Sequence, residues 1–296
     1  MPFYESADLR LHYVCRDVQV AHSPNCMVFQ HGIGGDVRQP GRFLEPERTS
    51  IAAGVLSVIH ADFRGHGQSE VGPPECLSID TLAGDLAALL DHLGIDQAIV
   101  GGISMGAAAA LRLAVRQPER CRALVLCRPA WVDGPMSEQA RRALGLVADL
   151  LDADHWQLSA ASALEQSEIL QSIDRECPDA AKSLRGHVQS VLARPETRPC
   201  AIARLRHLPH SNGLDDLQQD LARVQCPTLI LSADGDPIHP FAYARRLARH
   251  LPDCRLVPIA PKSALDDTPH LREVDRRIGE FLRPYLSRRP LKKGPS

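Results

Sequence analysis

The chain has 296 residues, 44% of them hydrophobic, enough for one large domain or two small ones with a substantial core. Lys and Arg total 34 against 36 Asp and Glu, a balance with no electrostatic footprint for nucleic acid or an anionic membrane. Nine scattered cysteines, an odd number without a CxxC pair, point to reduced thiols in a cytoplasmic protein, with no disulfide or metal role.

The N-terminal MPFYESADLRLHYVCRD has no basic region followed by an apolar run, so no signal peptide is expected. No stretch approaches the length of a membrane span, and no membrane partner is expected. Strand-like runs follow at 9–15 (LRLHYVC), 26–30 (CMVFQ), 55–60 (VLSVIH), 97–103 (QAIVGGI), 122–127 (RALVLC), 227–233 (PTLILSA) and 254–259 (CRLVPI). Several are Val/Ile/Leu-rich without alternation, as in strands covered on both faces of a parallel sheet.

Helical patterns lie between them. The segment 78–94 opens on Ser78, closes at Gly94 and puts Leu82, Leu86, Leu89, Leu90 and Leu93 on one face. Further helices are predicted over 104–117, 241–252 and 271–286. Alternating strands and helices give an α/β fold. From Trp131 the pattern turns wholly helical. We read residues 131–212 as a cap inserted over the sheet's carboxyl edge, between core segments 1–130 and 213–286. The basic tail 287–296 is expected to be disordered.

The most specific signal is Gly102-Ile103-Ser104-Met105-Gly106, where a predicted strand turns directly into a predicted helix. A serine on so tight a turn crowds the residues two before and two after it, and glycine keeps that space open. Ser104 would stand above the sheet at a helix N-terminus, whose dipole favours negative charge. A serine nucleophile needs two backbone N–H donors for the oxyanion. Met105 supplies one, and Ile33, in the loop His31-Gly32-Ile33-Gly34-Gly35, is the candidate for the other. His31 is read as structural.

HGIGG, DFRGHGQS (62–69) and GISMG, in this order and spacing, resemble the α/β-hydrolase fold family over roughly residues 8–130 and 220–286. The resemblance implies a mostly parallel central sheet flanked by helices, no cofactor and no metal. It makes the 62–69 run a structural loop, so Arg64 and His66 receive no chemistry. It also implies a triad in the order nucleophile, acid, histidine. The family's acid lies three residues past a small residue and four before a proline, which selects Asp236 between Ala233 and Pro240 and leaves Asp234 as a turn residue. Family members read Gly-His after the last strand, whereas this chain reads Pro261-Lys262, then Asp267-Thr268-Pro269-His270.

Three readings of the base follow. His270 takes the serine proton from the start of the last helix, which is the reading adopted and which resembles a little-described branch with DPIHPF, then KS, then a later histidine. Alternatively Lys262 is the base, although lysine titrates near 10.4 and a carboxylate neighbour would favour its charged form. Or there is no base and the protein is a silent binding relative. Lys262 is also a candidate for holding a substrate carboxylate or oxyanion. His239, three residues from Asp236, is read as a loop residue.

The expected reaction is hydrolysis of a carboxylic ester, thioester or lactone of a small, mostly apolar molecule through an acyl-enzyme. C–C bond hydrolysis and acyl transfer are the alternatives. Trp131 is the first candidate for substrate contact from the cap, with His155 and Trp156 beside it. A small-molecule substrate is the expected partner, and nothing in the sequence excludes a homodimer.

Overall fold

The computed structural model describes residues 2–15, 23, 25–44, 56–262 and 266–286. Eight strands form one sheet: β1 (Phe3–Ser6), β2 (Leu9–Cys15), β3 (Cys26–Gln30), β4 (Ser57–Ala61), β5 (Ala98–Ile103), β6 (Cys121–Cys127), β7 (Thr228–Ser232) and β8 (Cys254–Pro258). Their spatial order is β1-β2-β4-β3-β5-β6-β7-β8. β1 and β2 pair antiparallel, as do β2 and β4, and every other pairing is parallel. The sequence pattern found seven of the strands. It missed β1, whose four residues FYES are too few and too polar to stand out.

The central strands β3, β5 and β7 are buried along their whole length. Successive residues serve opposite faces, as the strand period of two requires. Val28, Val100, Leu124 and Ile230 join one core, while Met27, Ile99, Val125 and Leu229 join the other. Helices α2 (Ile79–His92), α3 (Met105–Arg116) and α10 (Phe241–His250) close the first face. Helix α11 (Thr268–Leu282) closes the second with Leu271, Val274, Ile278 and Leu282. Short α1 (Arg38–Gly41) follows the loop after β3, and α9 (Leu217–Ala222) precedes β7.

Between β6 and α9 the described residues form five α-helices: α4 (Glu138–Asp152), α5 (Trp156–Gln166), α6 (Glu168–Glu176), α7 (Pro178–Ala193) and α8 (Arg198–His207). Their limits follow local chemistry. Ser137 and Ser167 accept from the N–H groups of Ala140 and Leu170, and Pro178 occupies the first position of α7, where its missing N–H costs nothing. Among the described residues no helix is long and apolar enough to cross a membrane. The tail 287–296 lies outside the described residues.

The loop 62–69 is fixed by side chains. Asp62 accepts from His12 Nδ1 at 2.7 Å and from the Val37 and Gln68 N–H groups at 2.8 and 3.0 Å. Gly67 takes φ +51°, and a Cβ there would sit 2.1 Å from the Asp62 carboxyl. Arg64 makes a buried fork onto Asp85 of α2 at 2.7 and 2.6 Å. This network spends Arg64 on architecture, in line with the structural role expected of the loop.

Candidate active site

The turn from β5 into α3 places Ser104 at φ +54°, ψ −107°, a conformation that side-chain-bearing residues rarely hold. The turn closes because its flanks are glycines. A Cβ on Gly102 would lie 2.6 Å from the Gly106 backbone, and one on Gly106 would lie 2.7 Å from the Gln30 carbonyl. The Ser104 N–H is held by the Cys127 carbonyl at 2.9 Å. Its hydroxyl does not cap α3 but turns the other way.

It turns to His239. His239 Nε2 lies 2.9 Å from Ser104 Oγ, and His239 Nδ1 lies 2.8 Å from Asp236 Oδ2. The carboxylate fixes the tautomer: Nδ1–H donates to Asp236, which leaves the Nε2 lone pair facing the serine O–H. Two residues only three apart reach the same point because the chain curls around the carboxylate. Asp236 Oδ1 accepts from the N–H groups of Ile238 and His239 at 2.9 and 3.1 Å. Pro237 and Pro240 flank this turn and restrict it further.

The second oxygen of Asp236 also accepts from Arg128 Nη2 at 2.5 Å. Arg128 directly follows β6 at φ +50°, its N–H held by the Leu231 carbonyl at 2.7 Å. Burial would raise the Asp236 carboxyl, but His239 and Arg128 reverse this and hold it well below the usual carboxylate range. Arg128 reaches Asp179 on α7 as well, at 3.1 Å. Asp179 is closed from its other side by Lys262 Nζ at 2.9 Å. A chain of alternating charge therefore runs from the acid beside His239 to the inserted helices.

This geometry corrects the expectation for His270. The residue sits in the first turn of α11 as anticipated, but its Nδ1 bonds the Ala260 carbonyl at 2.9 Å and its ring packs edge-on to Phe43. It is 3% exposed, its Nε2 is buried without a partner, and burial lowers its basicity. Lys262 does not reach Ser104 either, because its ammonium is bound to Asp179. It does line the cavity in front of Ser104. Trp131 is buried against Gly213 and does not line that cavity, nor do His155 and Trp156.

The cavity has a volume of about 230 Å³. Ile33, Ile103, Leu144, Leu184 and Ile238 give it apolar walls, and α7 also contributes Asp179 and His187. Ile33 and Gly34 bring the loop after β3 to its edge. Gly34 leaves room for the His187 ring, 2.8 Å from where a Cβ would stand. The loop is held in place by Gln39, which accepts the Gly32 N–H at 2.7 Å, and by His66, which lies 3.0 Å from the Ile33 carbonyl. His31 bonds the Gly32 carbonyl at 2.8 Å and accepts the Phe63 N–H at 3.1 Å, a structural role. Among the described residues no cluster of His, Cys, Asp or Glu could hold a metal ion.

The sequence model of the alpha/beta hydrolase fold matches residues 25–264. The chain is 26% identical over 250 residues to a putative carbamate hydrolase of Caulobacter sp. strain K31, covering 79% of this chain and 81% of that one. It is 34% identical over 139 residues to the dihydrolipoyllysine-residue acetyltransferase component of the acetoin cleaving system of Cupriavidus necator. That match covers 43% of this chain, which spans only about a third (35%) of the relative's length. The crystal structure of the enol-lactonase from Burkholderia xenovorans LB400 superposes with a TM-score of 0.65 at 21% identity, covering 96% of this chain and 99% of that one. The mostly parallel eight-stranded sheet, its flanking helices and the family match together make this chain a member of the alpha/beta hydrolase fold family.

Proposed function

We propose that the chain is a serine hydrolase of a small carboxylic ester, thioester, lactone or carbamate. The observation that carries this reading is the single imidazole of His239, 2.9 Å from Ser104 Oγ and 2.8 Å from Asp236 Oδ2. Ser104 attacks the carbonyl carbon while His239 Nε2 takes its proton. The oxyanion is received by the Met105 and Ile33 N–H groups, and the α3 N-terminus adds a favourable dipole. His239 then returns the proton to the leaving oxygen, sulfur or nitrogen, and the acyl group stays on Ser104. Water, deprotonated by the same imidazole, cleaves that acyl-enzyme. Asp236 orients His239 and stabilises the imidazolium, and Arg128 positions Asp236.

The apolar walls and 230 Å³ volume of the cavity favour a short acyl group. The relative named as a carbamate hydrolase supports adding carbamates to the substrate class. The test combines fluorophosphonate labelling with hydrolysis of a short-chain p-nitrophenyl ester. Wild-type protein labels at Ser104 and turns the ester over, and Ser104→Ala does neither. A folded wild-type protein that stays unlabelled would contradict the proposal.

A further inference from the structure

A second cavity of about 480 Å³ lies beside the first, and Gly34 and Gln39 line both. The two therefore adjoin at the loop that carries Ile33. The second is formed by that loop, the 62–69 run and the segment from Ser190 to Arg204. Among the described residues Arg204 is one of three arginines buried outright, with Arg64 and Arg112. Arg64 pairs with Asp85, and Arg112 with Asp80 and Asp215. Arg204 differs. Its Nη1 donates to the Gly65 carbonyl at 2.8 Å, its Nε is buried without an acceptor, and among the described residues no carboxylate pairs with it.

A guanidinium out of water without a counter-ion is costly. Burial lowers it to about 10. The histidines nearby cannot compensate it. His66 and His187 are held neutral by burial, with the charge of Arg204 adding to the effect. The acids of the cavity are Asp36 and Glu196. Asp36 is forked by Arg38 and lies 3.9 Å from Arg194. Arg42, also on the wall, forks onto Asp267, so among the described residues the lining's uncommitted cations are Arg204 and, 3.9 Å from Asp36, Arg194.

We infer that this second cavity binds a carboxylate at the far end of the acyl substrate, with Arg204 as its buried counter-charge and Arg194 at its rim. The inference rests on Ser104 being the nucleophile, and it narrows the substrate to half-esters or their carbamate and lactone equivalents. The scissile carbonyl lies in the smaller cavity in front of Ser104, and the free carboxylate lies past Gly34, where the two cavities adjoin.

The test compares mono-4-nitrophenyl glutarate with 4-nitrophenyl valerate, which share a chain length and a leaving group. Wild-type kcat/KM favours the glutarate by roughly tenfold to a hundredfold, the size of a charge-assisted hydrogen bond. Arg204→Met removes the preference through KM, and Arg204→Lys keeps part of it. The ratio within each variant is the readout, so a partial loss of folded enzyme cancels. No preference in wild type, or an unchanged preference in Arg204→Met, overturns the inference. If neither ester is turned over, the reading of Ser104 fails, and calorimetric titration of glutarate then decides for the cavity. Binding that Arg204→Met weakens tenfold supports it, and no binding overturns it.

Discussion

Two loops leave the carboxyl edge of the sheet side by side, after β7 and after β8, and they use their polar residues in opposite ways. The loop after β7 curls around Asp236, fills all the acceptor sites of that carboxylate and delivers His239 to Ser104. The segment after β8, from the loop into the first turn of α11, carries the two candidates that chain order favoured, and both are engaged elsewhere. Lys262 closes Asp179, and His270 bonds the Ala260 carbonyl. The place of a base in the chain is thus less constrained than its place in space. On the proposed function the reaction needs an imidazole between a hydroxyl and a carboxylate, and a tight turn three residues past Asp236 sets His239 in that position.

The largest expected effect falls on the β7 loop. Ser104→Ala and His239→Ala each lower kcat by about three to six orders of magnitude, and the double variant loses little more, because the two act as one unit. Steady-state kinetics on the three proteins checks this; additive losses would break the comparison. Next is Arg128→Met, which leaves Asp236 and Asp179 short of a cation. We expect a loss of about 3 kcal/mol in urea unfolding.

A pH effect follows from His187. Burial lowers this imidazole to about 3, so below the unfolded value of 6.5 the unfolded chain binds a proton that the folded one refuses. Stability therefore falls as pH drops from 6.5 toward 3, by about 1.4 kcal/mol per pH unit from this group. Thermal melts at pH 7 and 5 should show His187→Gln losing less stability than wild type. The smallest effect belongs to the β8 loop. Lys262 is partly exposed and Arg128 still holds Asp179, so Lys262→Met costs about 1 kcal/mol or less. Its kcat on a neutral ester should change far less than that of His239→Ala.

The sheet was legible because its central strands are long apolar runs, and Ser104 because only glycine tolerates its neighbours' positions. The spacing to Ala233 and Pro240 picked out Asp236, the carboxylate that stands against His239 in the structure. His239 was not legible. Nothing in the order Asp-Pro-Ile-His says that two backbone N–H groups will fold back onto the carboxylate, and without that curl the two side chains point apart. His270 misled for a related reason. Its position on α11 was read well, but its Ala260 partner belongs to a loop whose path periodicity does not encode. Trp131 was taken for a cap contact by its place after β6, whereas its ring is absorbed into the core.

The most direct measurement is the rate of Ser104 acylation, read as the p-nitrophenol burst, in His239→Ala and His270→Ala side by side. The structure predicts a burst slowed at least about a thousandfold in His239→Ala and one within about threefold of wild type in folded His270→Ala, where no contact with Ser104 is lost. The reverse pattern, with His270→Ala silent and His239→Ala active, would contradict the assignment of His239 as the base.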